Sequence, residues 1–212
     1  MNRGLMIIGA SGHGKVVADI AKKMGIYSQI SLLDDDLKKG ISGYELLGTI
    51  AEYEKWKETH EFIVAIGNCR IRKEIQKKIE KEGRIATLVH PNAVIGEGVL
   101  LGTGTVVMAN AVINSGSMIG KGVIVNTGST IDHDCRIGDY VHVAPGCHIS
   151  GTVCIGEESW IGVGSCIINN VSICRECVIG AGATVVADIE KSGTYVGVPA
   201  KRIDHESESQ DS

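Results

Sequence analysis

Between residues 95 and 185 every sixth position is Ile, Leu or Val, without exception, from Ile95, Leu101 and Val107 through Ile131, Ile137, Val143 and Ile149 to Ile179 and Val185. A helix repeats its faces every 3.6 residues and a strand every two, so neither demands a period of six. A fixed internal period marks stacked supersecondary units, and a hexapeptide period specifies a parallel β-helix. Three hexapeptides make one triangular coil, so residues eighteen apart lie over one another, about 4.8 Å apart. No stretch between 95 and 185 breaks the period, which leaves no long loop extruded from the prism. Four places after the aliphatic, small residues recur (Thr105, Ala111, Ser117, Ser129, Ser159, Ser165, Ala183), and Cys135, Cys147 and Cys177 fall on the same beat. They read as small core side chains. Gly or Asn takes the corners that need φ > 0.

The first ninety residues follow a different grammar. Leu5-Met-Ile-Ile8 is a short apolar run ending in Gly9-Ala-Ser-Gly-His-Gly14. A helical pattern follows, with Val16, Val17, Ile20, Ala21 and Met24 on one face and Gly25 as its stop. Ile30–Leu33 reads as a second strand ending in Asp34-Asp-Asp36, and Phe62–Ile66 as a third ending in Gly67-Asn68. Ile71, Ile75 and Ile79 then space an amphipathic helix. This alternation predicts a small, Rossmann-like parallel sheet with right-handed crossovers. His90-Pro91 marks the join. The expected organisation is an α/β domain over 1–88, a β-helix over 89–203 and a disordered acidic tail over 204–212.

The formal charge of −4, with no basic stripe interleaved with aromatics, argues against nucleic acid. No run of eighteen apolar residues is present and Leu5–Ile8 is too short for a signal-peptide core, so the expectation is a cytoplasmic protein without membrane insertion. Seven cysteines fit that compartment as reduced thiols. Cys174-Arg-Glu-Cys177 is a lone CxxC without a second pair, and its repeat position already explains Cys177, so zinc or redox use is the weaker reading.

Against an aliphatic repeat, polar intruders stand out. The densest group is Thr130-Ile-Asp-His-Asp-Cys135, followed by His142 and His148. His133 lies between Asp132 and Asp134, and a carboxylate beside an imidazole holds one tautomer and steadies the imidazolium, which suits a general base. Gly151, eighteen residues on, stacks over His133, where its N–H could face an oxyanion. The turn Gly9, Ser11, Gly12, His13 follows a strand and opens a helix, so its N–H groups suit phosphates or a ribose, although its spacing is not GxGxxG. Asp34, Asp35 and Asp36 end the next strand and Gly67 and Asn68 the third, all at the carboxyl ends where open α/β sheets bind ligands. Other residues read more plainly: Trp160 as a prism-face or subunit-contact residue, Trp56 as cover for the small domain, and His148 as surface. Lys77, Lys78 and Lys81 with Glu80 and Glu82 read as a solvated face. Arg70 and Arg72 are close enough to Asn68 to reach a phosphate, with exposed helix arginine as the default. Flat prism sides suit packing against copies, which favours a closed trimer.

Three stretches taken together, Gly9–Gly14, Asn126-Thr-Gly-Ser-Thr-Ile-Asp-His-Asp134 and Gly197-Val-Pro-Ala-Lys201, resemble bacterial sugar acetyltransferases of the NeuD/PglD type. These pair a sugar-nucleotide-binding domain with a left-handed hexapeptide β-helix. The resemblance implies left-handed coils, a homotrimer, acetyl-CoA in the groove between neighbouring prisms, and no metal. It implies that His133 is the general base and that Asp134 is its acidic partner, where some members have Glu. It further implies that Asn126 helps shape the acceptor site, that His142 lies near the thioester, and that Gly151, Gly182 and Lys201 are on the cofactor side. The implied reaction is N-acetylation of a UDP-4-amino-dideoxy-sugar for bacterial glycan or polysaccharide synthesis, by direct attack on the thioester, with uridine in the N-terminal cleft. O-acetylation of sialic acid or another sugar remains open. So do a non-catalytic β-helix scaffold with the N-terminal domain as sensor, and a carbonic-anhydrase-like use of zinc by convergent histidines.

Overall fold

The computed structural model describes residues 3–203, and the tail expected over 204–212 lies outside the described residues. Five consecutive buried residues make the central strand β1 (Gly4–Ile8), as expected for a parallel strand covered on both faces. It is flanked by β2 (Ile30–Leu33) and, beyond that, β3 (Glu45–Leu46) on one side, and by β4 (His60–Val64) and β5 (Arg84–Ile85) on the other, all parallel. The third long strand thus starts and ends two residues before the expected Phe62–Ile66. The strand order reverses between β1 and β4, and ligands of open α/β sheets bind off the carboxyl ends at such a reversal. Helices α1 (Gly12–Met24) and α2 (Cys69–Ile79) both begin there. Gly14 comes so close to the Gly9 carbonyl that any Cβ on it would overlap that oxygen, which is why the turn into α1 needs glycine.

The buried stripe of α1 contains Val17, Ala18, Ile20 and Ala21, whereas Val16, expected on that face, is 41% exposed. Helix α2 departs further from expectation. Ile71 is 45% exposed, and the buried positions are Cys69, Arg72, Gln76 and Ile79. Ile79 packs in the apolar core, whereas Arg72 and Gln76 reach backbone carbonyls of the prism.

From Leu88 onward the chain winds a left-handed parallel β-helix of two-residue strands, one hexapeptide ahead of the unbroken aliphatic series. Its first face stacks Leu88–Val89, Val106–Val107, Ile124–Val125, His142–Val143, Trp160–Ile161 and Cys177–Ile179, closed by Gly193–Val196. The second face runs from Val94–Ile95 to Thr184–Val185 and the third from Leu100–Leu101 to Ser172–Ile173. Parallel pairing joins residues eighteen apart, as in Ile113 with Ile131 and Ile131 with Ile149, until the closing strand, where Ile179 pairs with Tyr195. Cys135, Cys147, Cys177 and the small residues on the same beat are fully buried. Their polar atoms are satisfied locally: Ser117 Oγ donates to the Asp132 carbonyl (2.7 Å) and accepts from Cys135 N–H (3.0 Å).

The first face carries the α/β domain. Leu88, Val106, Met108 and Ile124 share one apolar core with Val17, Ala18, Ile20 and Ala21. Arg72, far from being an exposed helix arginine, is 0% exposed and spans the junction. Its Nε donates to Gly122 O (2.7 Å), Nη2 to Tyr140 O (2.7 Å), and Nη1 to Ile66 O (2.8 Å) and Gly67 O (2.7 Å). Gly122 and Tyr140 lie eighteen apart at one corner of the prism, both with φ of 59°, so their carbonyls form a ladder that a planar fork can bridge. Lys73 pairs with Glu158, and Gln76 Nε2 donates to Thr103 O (3.0 Å), extending the contact.

Replacing Arg72 by Met leaves these buried carbonyls without donors. The variant is expected to lose about 3 kcal/mol of unfolding free energy and to unfold in two steps in urea, one per domain. A single transition at the wild-type midpoint would contradict this role for the guanidinium.

Candidate functional site

Two groups of functional side chains emerge. The first sits at the corner between the second and third faces. Asp134 holds φ at 59°, and Gly116 (φ 74°) lies eighteen residues before it on the same corner. A Cβ on Gly116 would come 2.6 Å from Asp134 Oδ1, and one on Gly151 would come 2.6 Å from His133 Nε2. The two glycines therefore clear the space into which the carboxylate and the imidazole settle. Asp134 Oδ2 accepts from His133 Nδ1 at 2.9 Å, and Asp132 Oδ1 holds the His133 backbone N–H (2.8 Å) and the Asn114 amide (2.8 Å). The proton thus resides on Nδ1 and leaves Nε2 bare. The Asp134 hydrogen bond first, and then the Asp132 charge, raise the His133 pKa above its ordinary value. The side chains are 58% and 65% exposed, so solvent screens much of this attraction.

The second group lines a cleft of about 580 Å³ between the domains. His13, in the first turn of α1, and Gly67, just before α2, face Asn126 and His142 on the prism. The His142 ring rests on Trp160, centroids 4.1 Å apart, and lies 6.3 Å from the His13 ring. Its Nδ1 meets Gly67 O at 3.3 Å and its Nε2 meets Asn126 Nδ2 at 3.2 Å. Burial first, and then the nearby Arg72 charge, push the pKa down to about 3 for His142 and about 4 for His13, so both are neutral. His13 Nε2 is buried without a partner. Beyond His142 the cleft continues past Ala144, Pro145, Gly162, Val163, Gly180 and Ala181, a strip of small side chains.

Other residues singled out from the sequence have different surroundings. Gly9 (φ 109°) shapes the turn, Ser11 is the exposed N-cap of α1, and Gly12 is exposed at its start. Asp34 uses both oxygens within the domain, accepting from Ala10 N (2.7 Å) and Asp36 N (2.9 Å), and Asp35 accepts from Ile50 N (3.0 Å). Asn68 caps α2 through Ile71 N (3.0 Å) and lines a separate hollow with Arg70, Glu158 and Glu176, on the other side of Trp160. Gly182 stands at the corner between the first and second faces, in line with Gly146 and Gly164, and Lys201 is exposed on the final strand Lys201–Ile203. His148 is exposed on the second face, 3.0 Å from Thr130 Oγ1. Cys174 and Cys177 bring their Sγ atoms to 3.4 Å, but burial pushes the Cys177 thiol up to about 12. Among the described residues no group of three His, Cys, Asp or Glu side chains is placed to hold a metal ion, and no helix is long and apolar enough to cross a membrane.

Three participants were missed in the sequence. Gly116 could have been found by counting eighteen back from Asp134. Trp160, read as a plain prism-face residue, supports the His142 ring, which the same count back to 142 would have suggested. The sequence offers Arg72 only a phosphate or solvent and does not signal its burial, because the period of α2 favours its isoleucines. The geometry also separates what the sequence put side by side. His133 occupies the corner opposite the first face, whereas His142 stands on that face, so the two do not meet within one protomer.

Comparison with known proteins follows the same division. Residues 4–79 match the PglD N-terminal domain family and residues 116–151 the bacterial transferase hexapeptide family (six repeats). The acetyltransferase domain of PglB from Neisseria gonorrhoeae FA1090 is 43% identical, with a TM-score of 0.92 over 95% of this chain and 100% of that one. The same domain has been solved in complex with acetyl coenzyme A, and superposes equally well at 42% identity over 96% of this chain and 100% of that one. PerB from Caulobacter crescentus, in complex with CoA and GDP-perosamine, is 35% identical with a TM-score of 0.88 over 95% of this chain and 97% of that one. A UDP-N-acetylbacillosamine N-acetyltransferase of Bacillus subtilis (strain 168) is 32% identical over 109 residues, 49% of this chain and about half the length of that relative (50%).

The neutral imidazoles make stability depend on pH. His13 and His142 have folded-state values below the unfolded one of about 6.5, so the unfolded chain binds more protons as the solution is acidified. Their contribution is full above about pH 6.5 and is lost toward about pH 4, at up to about 1.4 kcal/mol per pH unit for each group. Urea unfolding across that range should show this slope, and His142→Gln should flatten it; equal slopes in both proteins would contradict the burial of a neutral ring.

Proposed function

The chain belongs to the hexapeptide-repeat acetyltransferases with a PglD-type N-terminal domain, and on that footing we propose that it transfers the acetyl group of acetyl-CoA to the amine of a UDP-4-amino-dideoxy-sugar. The observation that carries this reading is the His133–Asp134 pair, held on a rigid corner between two glycines with Nδ1 donating to the carboxylate and Nε2 lying against Gly151. Nε2 takes the proton as the amine nitrogen attacks the thioester carbonyl. The C–N bond forms, the C–S bond breaks, and the proton returns to the departing thiolate. Asp134 keeps the ring in the base tautomer and steadies the imidazolium, and the Gly151 N–H faces the tetrahedral oxyanion.

The cleft supplies the binding surface. The first turn of α1 opens on it through His13 and has no acidic residue, which suits a sugar nucleotide's pyrophosphate. The His13 ring lines the cleft beside this ligand. The strip of small residues past His142 suits the narrow pantetheine arm, with the thioester at Asn126 and His142. Since His133 lies on the far side of its own prism from this cleft, the base that serves it comes from a neighbouring protomer of a homotrimer. The exposed Leu100 and Met118 on the third face are available for such packing. Both substrates are cytoplasmic metabolites, and the product serves glycan or polysaccharide synthesis in that compartment.

Incubation with acetyl-CoA and a panel of UDP- and GDP-linked amino sugars and sialic acids, followed by free-thiol release, should give the fastest turnover with a UDP-4-amino-sugar. No acceptor-dependent thiol release would sink the proposal. His133→Ala should lower kcat by about 10²- to 10⁴-fold without changing the trimer. For the free enzyme, kcat/KM should rise with pH through a value above the ordinary one for histidine, because Asp134 and Asp132 stabilise the protonated form. Asp134→Asn removes the larger of these influences, so its midpoint moves to lower pH while its plateau falls. An unmoved midpoint would show that Asp134 does not hold the base.

A further inference from the structure

Arg72 bridges the two domains, and its hydrogen bonds also run to the edge of the cleft through Gly67 O. The Asn126 carboxamide is oriented by its own backbone neighbour: Oδ1 accepts from Thr127 N–H at 2.8 Å, so Nδ2 is the atom facing His142 Nε2 at 3.2 Å. An amide donor opposite a ring nitrogen requires that nitrogen to be unprotonated. The His142 proton must therefore reside on Nδ1, where it points at Gly67 O, 3.3 Å away. A carbonyl oxygen can only accept, so the far side of the ring demands the same tautomer independently. Gly67 O is itself held by Arg72 Nη1 at 2.7 Å, while Nε and Nη2 anchor that guanidinium to two successive rungs of the prism.

We propose that Arg72 is a positioning residue for the reaction: through the Gly67 carbonyl it fixes His142 as the Nδ1–H tautomer, and His142 aims the Asn126 carboxamide at a ligand oxygen in the cleft. This deepens the acetyltransferase reading and rests on the cleft being where that reaction occurs. Both ring nitrogens of His142 are engaged within the protein, so His142 transfers no proton during turnover. Asn126 keeps a second N–H, and it is this group that meets the ligand. Lysine cannot replace the arginine, because a single ammonium does not span Gly67 and two prism rungs with the geometry of a fork.

The test is a long-range ¹H–¹⁵N correlation spectrum of the intact, substrate-free protein labelled at histidine, with the His142 signal identified by its loss in His142→Gln. The wild type is expected to show a protonated Nδ1 and a bare Nε2, unchanged from about pH 8 to about pH 5. Arg72→Lys should give a mixture of tautomers and roughly 10²-fold lower kcat, with KM for acetyl-CoA within about twofold. Should Arg72→Lys not fold, Asn126→Asp reads the relay from its other end without touching the domain junction. A carboxylate facing Nε2 adds a second acceptor while Gly67 O still faces Nδ1, so Nδ1 should stay protonated and Nε2 should gain a proton. A wild-type Nε2–H tautomer, an unchanged ¹⁵N pattern in a folded Arg72→Lys at any turnover, or loss of the Nδ1 proton in Asn126→Asp each overturns the proposal. The spectra need no substrate, so they remain decisive even if acetyl transfer itself is not found.

Discussion

Backbone pairing between each residue and the one eighteen positions later governs the whole prism. It places an aliphatic residue inside every hexapeptide and a small one at the corner behind it, and turns any polar exception outward onto a rigid surface. The same register decides what lies beside each exception. Asp134 has room because position 116 is glycine, and the His133 ring has room because position 151 is glycine. His142 has a floor because position 160 is tryptophan. A catalytic group built this way needs few contacts of its own, since the coils above and below fix its geometry.

Onto this ruler the α/β domain is fastened by a charge that has no carboxylate partner. Burying a guanidinium is costly unless its donors are satisfied, and here backbone carbonyls from both domains do so. The arrangement has an electrostatic consequence. The positive charge beside His13 and His142 adds to the effect of burial in keeping both rings neutral, so the cleft presents fixed donors and acceptors rather than titrating groups. His133 stands on an exposed corner whose carboxylates pull its pKa the opposite way, as suits the base proposed for it. Two imidazoles nine positions apart thus have opposite chemical characters, set by burial on one face and by carboxylates on the other.

Much of this was legible in the residues. The aliphatic series declared the coils, and the alternation of strands and helices before residue 90 declared the sheet and its ligand-binding end. The small residues and cysteines on the inward beat are buried as read. What escaped were features that depend on two segments meeting. Val16 and Ile71 have the spacing of buried residues yet are exposed, because apolar period records which face is oily and not which face is covered. Arg72 has the look of a solvated helix side chain until the prism supplies its carbonyls. Asp34 reads as a free strand-end carboxylate until the turn at Ala10 folds over it.

The most consequential feature is that the proposed base and the cleft lie on opposite sides of one prism, the one on a corner and the other on the far face. If base and cleft that work together belong to different protomers, two inactive variants should rescue each other. His133→Ala supplies an intact cleft, and a protein carrying Asn126→Ala with His142→Ala supplies an intact base. Random 1:1 mixing of protomers into trimers should restore about a quarter of wild-type activity, since each mixed ring contains one site with both halves intact. A mixture no more active than its components would contradict a shared site.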